Sequence, residues 1–543
     1  MTVSRPIFTY QTRLAPHAER DTVLDVYAAL HGRAERSLFA ALRAGGSLND
    51  LKREFLPRFG ITARQFNAIR VGLEGKIAAI KERRPELIAE AVMRIRKAEK
   101  VIGRLAIRAP GTNKLHQKKR RLATLKARHA AMTADQATGA VRLCFGSRKL
   151  FRAQFDLEAN GYTTLDDWRE DWRQSRSNQF FVLGSQDETA GNQTCQATLA
   201  ADGTLSLKLR LPNAMTVQGN HLTLTGIRFA YGHEAIVAAL QSSRRLSATT
   251  KAGKPTVKRT GAAISYRFVR DDQGWRIFVS AEAQPVVQAS RKELGAIGID
   301  INADHLALAE TDRFGNLIAT RRIDLPLYGK TTDQAKAIIG DACVEVARMA
   351  KEAGKPVVIE ALDFAKKKAE LRGTDPRQAR MLSSFNSNKI AAGIDAACFR
   401  AGVEVIEVNP AYTSVIGAVN HARRRGISVH QGAAYAVARR GLGLSEAPAV
   451  REGLAPTRNG GHVAFCLPVR NRQKHVWSHW SKIRTRLKAA HVAHYRSGNA
   501  KKMPAPLSPE MRALGATWLS PAKSRSANRS QHCSESVLVD VPW

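Results

Sequence analysis

The stretch Gly295–Glu310, "GAIGIDINADHLALAE", decides how the rest of the chain is read. It is an apolar run with one carboxylate, Asp300, near its middle. Asp304 follows four residues later, where the apolar pattern resumes. A buried charge is costly unless it is paired or holds a metal. An aspartate inside a core strand therefore asks for a reason. Outward from this run the chain alternates strand and helix patterns. "LGAIGIDI" and "HLALAET" read as strands, "DRFGN" as a turn and "LIATRRIDL" as a third strand. Helix "TTDQAKAIIGDACVEVARMAKEAG", buried strand "KPVVIEAL" and a helix through "SSFNSNKIAAGIDAACFRAG" come next. Strand "VEVIEV" and helix "HQGAAYAVARRGLG" complete the series. A three-strand meander followed by helix–strand units is the order of a ribonuclease H-like α/β domain, expected over residues 291–445.

The flanking segments give a multidomain α+β chain. Residues 4–16 read as one strand, so 1–17 are expected to be the first strand of a small β-domain. Residues 18–140 have three-four apolar spacing and read as a helical domain. Over 141–290 the period changes to two, with turn signals "ADGT" and "DDQG", which predicts a small all-β domain of barrel type. The strand at 4–16 could complete its sheet, which would make the helical block an insertion. Residues 446–497 read as a basic, aromatic helical segment packed on the α/β domain. Trp477 and Trp480 there serve either base stacking or core packing. The Ser-, Pro-, Lys- and Arg-rich tail, 498–543, reads as disordered.

Charge is the loudest compositional signal. Across 543 residues there are 86 Lys and Arg against 47 Asp and Glu, a net charge of +39. A polyanion partner, nucleic acid first, follows. The excess is spread along the chain, which favours an extended contact surface over an appended arm. The run Lys118, Lys119, Arg120 and Arg121 fits a helix face tracking phosphates; a merely solvated face is the plainer reading. No apolar run approaches a membrane span and the start has no signal-peptide core, so a cytoplasmic protein with no membrane partner is expected. The six cysteines make no C-x-x-C pair, and neither a disulfide framework nor a zinc ribbon can be read from them.

The chemistry is sought among acids at strand ends. Asp300 is on the first α/β strand, and Glu360 ends "PVVIE", the next buried strand after the first helix. In a ribonuclease H-like sheet these strands are neighbours, so the carboxylates converge. Two converging carboxylates repel unless a divalent cation, Mg²⁺ or Mn²⁺, bridges them. Such a pair suits two-metal phosphoryl chemistry. The plainer alternative is that backbone donors cap each acid. His430 lies in the first turn of the last helix, either as a third ligand or as a capping or packing residue. Asp304 is a reserve acid, expected on the same strand face well beyond ligand reach. "DLPLYGKT" lacks the first glycine of a phosphate loop, and His475 with His479 lacks an accompanying glutamate.

At these residues the chain resembles a known family. "GIDIN", "VVIEALDF", "VEVIEVNPAYTS" and "HQGAAYAVARRGLG" resemble the RuvC-type motifs of TnpB proteins of insertion sequences. They equally resemble those of the type V (Cas12-type) CRISPR effectors. "HQKKRRLATL", "CFGSRKLF" and "GSQDETAGNQ" are similar to segments of longer TnpB-related proteins, and the likeness covers roughly residues 1–490. It implies a wedge β-barrel split around a helical recognition domain, followed by a RuvC nuclease domain. It also implies a guide RNA and target DNA with a short adjacent duplex motif read by protein. A prokaryotic, nucleoid-associated setting goes with it.

Carried over, Asp300, Glu360 and His430 form the catalytic and metal-binding set. Lys118 to Arg121, Lys366, Lys367, Lys368, Arg439 and Arg440 are the backbone contacts. Two departures stand out. The stretch "VIGAVNHARRRGI" has no cysteines where members carry a zinc ribbon. His430 stands where members have the third Asp, which removes one negative charge from the cluster. The expected function is RNA-guided DNA endonuclease. The alternative is an RNA-guided DNA-binding protein that blocks transcription with little or no cleavage. A plain transposase is a third reading, for which the third metal residue should be an acid.

Overall fold

The computed structural model describes residues 6–249, 255–284, 286–361, 387–457 and 461–496. These form two compact units, parted at residues 285 and 286.

In the first unit, strand β1 (Ile7–Arg13) leads into four helices: α1 (Ala18–Arg43), α2 (Leu48–Phe59), α3 (Ala63–Arg108) and α4 (Asn113–Thr138). Leu38, Phe55, Phe66, Ile69 and Leu73 form the core of the first three. Helices α3 and α4 make a hairpin closed by buried Arg84, which donates to the carbonyls of Asp135 and Ala140, 2.6 Å each. Two short helices, α5 (Arg148–Ala153) and α6 (Leu165–Ser175), precede β2 (Gln179–Val182). Next come β3 (Cys195–Leu199), β4 (Leu205–Arg210), β5 (His221–Ile227), α7 (His233–Gln241), β6 (Arg244–Thr249) and β7 (Pro255–Thr260). Strands β8 (Ile264–Asp271) and β9 (Gly274–Glu282) end the unit.

Strand β1 pairs antiparallel with β9 in a four-stranded sheet of order β1-β9-β8-β2, so all four long helices lie between two strands of one sheet. A three-stranded sheet, β3-β4-β5, shares its core, as do Leu24 and Tyr27 of α1. Residues 141–290 are therefore not all β, because α5, α6 and α7 are interleaved. The reason for α6 is local. Thr164 and Asp167 form a capping box, and Trp168 and Trp172, four apart, stack at 5.8 Å on one face.

The second unit is built on a five-stranded sheet. Its strands are β10 (Ile297–Ile301), β11 (His305–Thr311), β12 (Leu317–Asp324), β13 (Val357–Glu360) and β14 (Val405–Val408). Their order is β12-β11-β10-β13-β14. Strand β11 runs antiparallel to β10 and β12, while β10, β13 and β14 are parallel. This is the order and sense of a ribonuclease H-like sheet. Helices α8 (Thr332–Ala353) and α9 (Ser387–Ala401) cover one face. Helix α10 (Val429–Gly441) covers the other. With both faces of β10 covered, the strand reads as a continuous apolar run.

Residues 446–475, expected to be helical, instead form a hairpin, β15 (Glu452–Pro456) with β16 (His462–Cys466), ahead of helix α11 (Val476–Arg496). Gly453 and the alternating burial of β15 give the short strand pattern that basic and aromatic content obscured. Trp480 is fully buried with Ile416, Val419, Ala436 and Ile483, so of the two readings it takes core packing. No helix among the described residues is long and apolar enough to cross a membrane.

Candidate active site

Strands β10 and β13 are parallel neighbours, with Ile297 opposite Val357 and Gly298 opposite Val358. Two residues further along each strand stand Asp300 and Glu360. Side chains alternate with period two, so both carboxylates lie level, on the face that Gly298 and Val358 present. That face meets α10. A Cβ built on Gly298 would sit 2.1 Å from the carbonyl oxygen of Ala434, and one on Gly441 would sit 2.4 Å from a methyl of Val358.

Helix α10 begins with a capping box. The hydroxyl of Ser428 accepts from the backbone N–H of Gln431 at 3.1 Å, and the Gln431 side-chain carbonyl accepts from the N–H of Ser428 at 3.0 Å. The box fixes where the first turn starts, and His430 is in that turn. Its Nδ1 is 3.0 Å from Oδ2 of Asp300, which also accepts from Nδ2 of Asn302 at 2.9 Å. With Nδ1 protonated, the imidazole donates to the carboxylate and its Nε2 keeps a lone pair. The helix N-terminus adds a favourable partial positive charge near Asp300. Asp300 is 8% exposed, and its Oδ1 takes no hydrogen bond among the described residues.

Glu360 is held from the other side. Oε1 accepts the Thr413 hydroxyl proton at 2.5 Å. Thr413 begins a helical stretch, Thr413–Arg425, that contains a π-turn over Gly417–Ala422. It packs backbone to backbone on α10, because a Cβ on Gly417 would be 2.3 Å from the N of Ala433. Tyr412, just before it, has φ +65°, a left-handed conformation that costs a non-glycine residue about 1–3 kcal/mol. That conformation turns the chain from "NPAY" so that Thr413 faces Glu360.

Asp304 is not on the strand face where the sequence reading put it. Strand β10 ends at Ile301, and Asp304 lies in the turn to β11. The strand stops because Asn302 folds its side chain back onto Asp300. Asp304 bonds to His305 at 2.8 Å and pairs with Arg322 at 3.5 Å. Burial works against its ionisation, but His305 and Arg322 outweigh it and hold the carboxyl below its ordinary range.

Three side chains of the site went unnoticed in the sequence: Asn302, Thr413 and His305, whose ring lies 5.1 Å from that of His430. Asn302 and Thr413 are within quoted motifs, "GIDIN" and "NPAYTS"; a polar residue two positions past a strand acid is a signal for Asn302, while Thr413, six residues past Glu407, carries none.

The basic residues are scattered. Lys119, Arg120 and Arg121 are exposed on α4, and Lys118 is half-buried. Lys366, Lys367 and Lys368 lie outside the described residues. Arg439 pairs with Glu446 at 3.1 Å and donates to the Gly315 carbonyl at 2.6 Å. Arg440 donates to the carbonyls of Asn409 and Ala411 and lies 5.6 Å from the Trp477 ring centre. Burial lowers the Arg440 pKa, and Glu360 and Glu446 pull it back up.

Among the described residues no three acids, histidines or cysteines form a ready-made metal cage. The donor chemistry nonetheless fits a hard divalent cation. Two carboxylates stand side by side, Asp300 Oδ1 is uncommitted, and His430 could offer only Nε2 while Nδ1 faces Asp300.

No protein-family model matches the chain, and no curated protein matches it. Solved structures similar to it include two nucleic-acid complexes. One is T. thermophilus RuvC in complex with a Holliday junction substrate, 18% identical, covering 27% of this chain and 90% of that one, with TM-score 0.20. The other is a Cas12f1–sgRNA–target DNA complex, 10% identical, covering 80% of this chain and 99% of that one, with TM-score 0.33. At such scores the strand order of the sheet, rather than either superposition, defines the fold of the second unit.

Proposed function

We propose that this chain is an RNA-guided DNA endonuclease of the TnpB and type V effector kind. The observation that carries the reading is Asp300 and Glu360 standing level on neighbouring parallel strands, under the first turn of α10. The net charge of +39 and the RuvC-like motifs support it.

In this reading Asp300 and Glu360 hold Mg²⁺ or Mn²⁺, which when bound activates water and stabilises the leaving oxygen. His430 orients the Asp300 carboxylate through Nδ1, and its Nε2 can take a proton or a coordination position. Thr413 fixes the rotamer of Glu360. Hydrolysis adds one water across a phosphodiester P–O bond, leaving a hydroxyl on one strand end and a phosphate on the other. Lys118, Lys119, Arg120 and Arg121, with Lys366 to Lys368, contact phosphates, while guide pairing reads the target beside a short protein-read duplex motif.

A second reading is guided binding without useful cleavage, which would block transcription. The hydrogen bond of His430 to Asp300 favours it, because it engages both groups where members of the resembled family have a third acid.

One experiment separates the readings. The protein is purified with co-expressed RNA, the RNA is sequenced, and matched duplex is offered with Mg²⁺ or Mn²⁺. Guide-dependent cutting that disappears in Asp300→Ala and Glu360→Ala is the expected result. Tight guide-dependent binding with no product in either metal supports the second reading. Absence of any RNA with a defined guide segment overturns both.

A further inference from the structure

The first unit contains a cavity that the catalytic reading does not use. It is about 630 Å³, within the range of small-molecule sites. One wall is a face of α1, where Leu30, Arg33 and Ser37 recur at three-four spacing with Arg36 beside them. The opposite wall is the end of α2, with Pro57, Arg58 and Phe59. The floor is the β4–β5 connection, held because the N–H of Ala214 donates to the Gly60 carbonyl at 3.0 Å. Gly60 has φ +57°, and a Cβ there would be 2.7 Å from Ala214, so only glycine allows this closure.

Both walls combine charge with apolar surface: Arg33 and Arg36 stand with Leu30 on α1, and Arg58 with Pro57 and Phe59 on α2. Arg33 is exposed and makes no ion pair or side-chain hydrogen bond among the described residues. Arg36 donates to the Arg176 carbonyl at 3.0 Å. Burial and the positive charges of Arg176 and Arg33 work against its own charge, and Glu35 offsets this only in part. Arg58 pairs with Glu54 at 2.8 Å and lies 5.3 Å from the Phe59 ring centre. An incoming anion would relieve the crowded guanidiniums, and an aromatic ring would pack against the Arg58–Phe59 pair, on the guanidinium plane or the ring edge. A carboxylate peptide would use the charge but not the apolar side chains; an apolar ligand would use those side chains but not the charge.

We propose that this cavity takes one unstacked nucleotide of a bound single strand, its base against Phe59, Leu30 and Pro57 and its phosphate at Arg33 and Arg36. Strands held this way combine a basic track with aromatic stacking and tolerate any base.

The test uses the full chain, freed of co-purified nucleic acid by high salt. It is titrated with a mixed-sequence single-stranded 5′-fluorescein RNA, with DNA of the same sequence, and with AMP. Binding is followed over a range of salt. Arg33→Ala should weaken strand binding about three- to tenfold and reduce the salt slope by about one contact. Phe59→Leu should weaken binding by about tenfold with the slope unchanged. Loss in the RNA arm alone assigns the cavity to RNA; loss in both assigns it to either strand. AMP binding weakened by Arg33→Ala adds direct support. Since Phe59 also borders a core, Arg33→Glu provides a second surface test whose thermal midpoint should match wild type. Unchanged affinity and slope in both Arg33→Ala and Arg33→Glu overturns the proposal. Neither outcome depends on DNA cleavage, so failure here leaves the catalytic reading standing.

Discussion

The two faces of the five-stranded sheet use the same strands for opposite purposes. On one face Ile297, Ile299, Val357 and Ile359 meet Ile339 and Val346 of α8 and Ile390 and Ile394 of α9. These are large branched side chains, close-packed and dry. On the other face Gly298, Ala307 and Ala309 meet Ala434 and Ala438 of α10, and Val358 meets Gly441. At Gly298 and Gly441 the missing side chains let helix and strand approach closely. The first face supplies most of the hydrophobic stabilisation. The second sets a height: α10 lies close to the strands, which brings His430 to 3.0 Å from Asp300. One face stabilises the sheet, and the other sets His430 beside Asp300 at its open end.

This contrast can be broken at several points. The largest effect is expected for Asp300→Asn and Glu360→Gln, each abolishing cleavage while guide-dependent target binding persists in a gel-shift assay. Ile394→Ala, on the dry face, should cost about 2–5 kcal/mol of stability by denaturant unfolding, through lost burial and a residual cavity. Well below its midpoint it should leave cleavage per folded molecule unchanged. Gly298→Ala, on the close face, should cost only about 1–3 kcal/mol, because its methyl must push α10 away. Despite that smaller cost it should lower cleavage, since the same shift moves His430 off Asp300.

A last effect, on stability alone, concerns pH and the other unit. Burial of His31 on α1 pushes its pKa from the ordinary 6.5 down to about 4; Glu35 opposes this and Lys76 adds to it. Between those values the unfolded chain binds a proton that the folded chain does not. Stability therefore falls as pH drops from about 6.5 to about 4, with no further contribution from this group below that. In His31→Leu the unfolding midpoint should fall less steeply than in wild type over that window.

The close face was legible in part. Asp300 and Glu360 stand out in sequence because a carboxylate within an apolar strand has few structural excuses, and the strands that carry them stand out because each is a short apolar run. The partners of those acids were not legible. Asn302 and Thr413 reach them only through a chain reversal and a left-handed Tyr412, and neither has a periodicity to read. Asp304 was misplaced for the same reason, since a strand pattern does not announce where the strand turns. Helix α6 and the β15–β16 hairpin escape such a reading because each is a short signal, 11 residues of helix and two five-residue strands, amid opposite surroundings.

The central claim is that Asp300 and Glu360 act together on a divalent cation. Isothermal titration of the purified chain with Mn²⁺ tests it without reference to cleavage. Specific binding should be lost in Asp300→Asn and equally in Glu360→Gln, with the double variant no worse than either single one. Mn²⁺ binding of wild-type strength in both single variants would contradict the account.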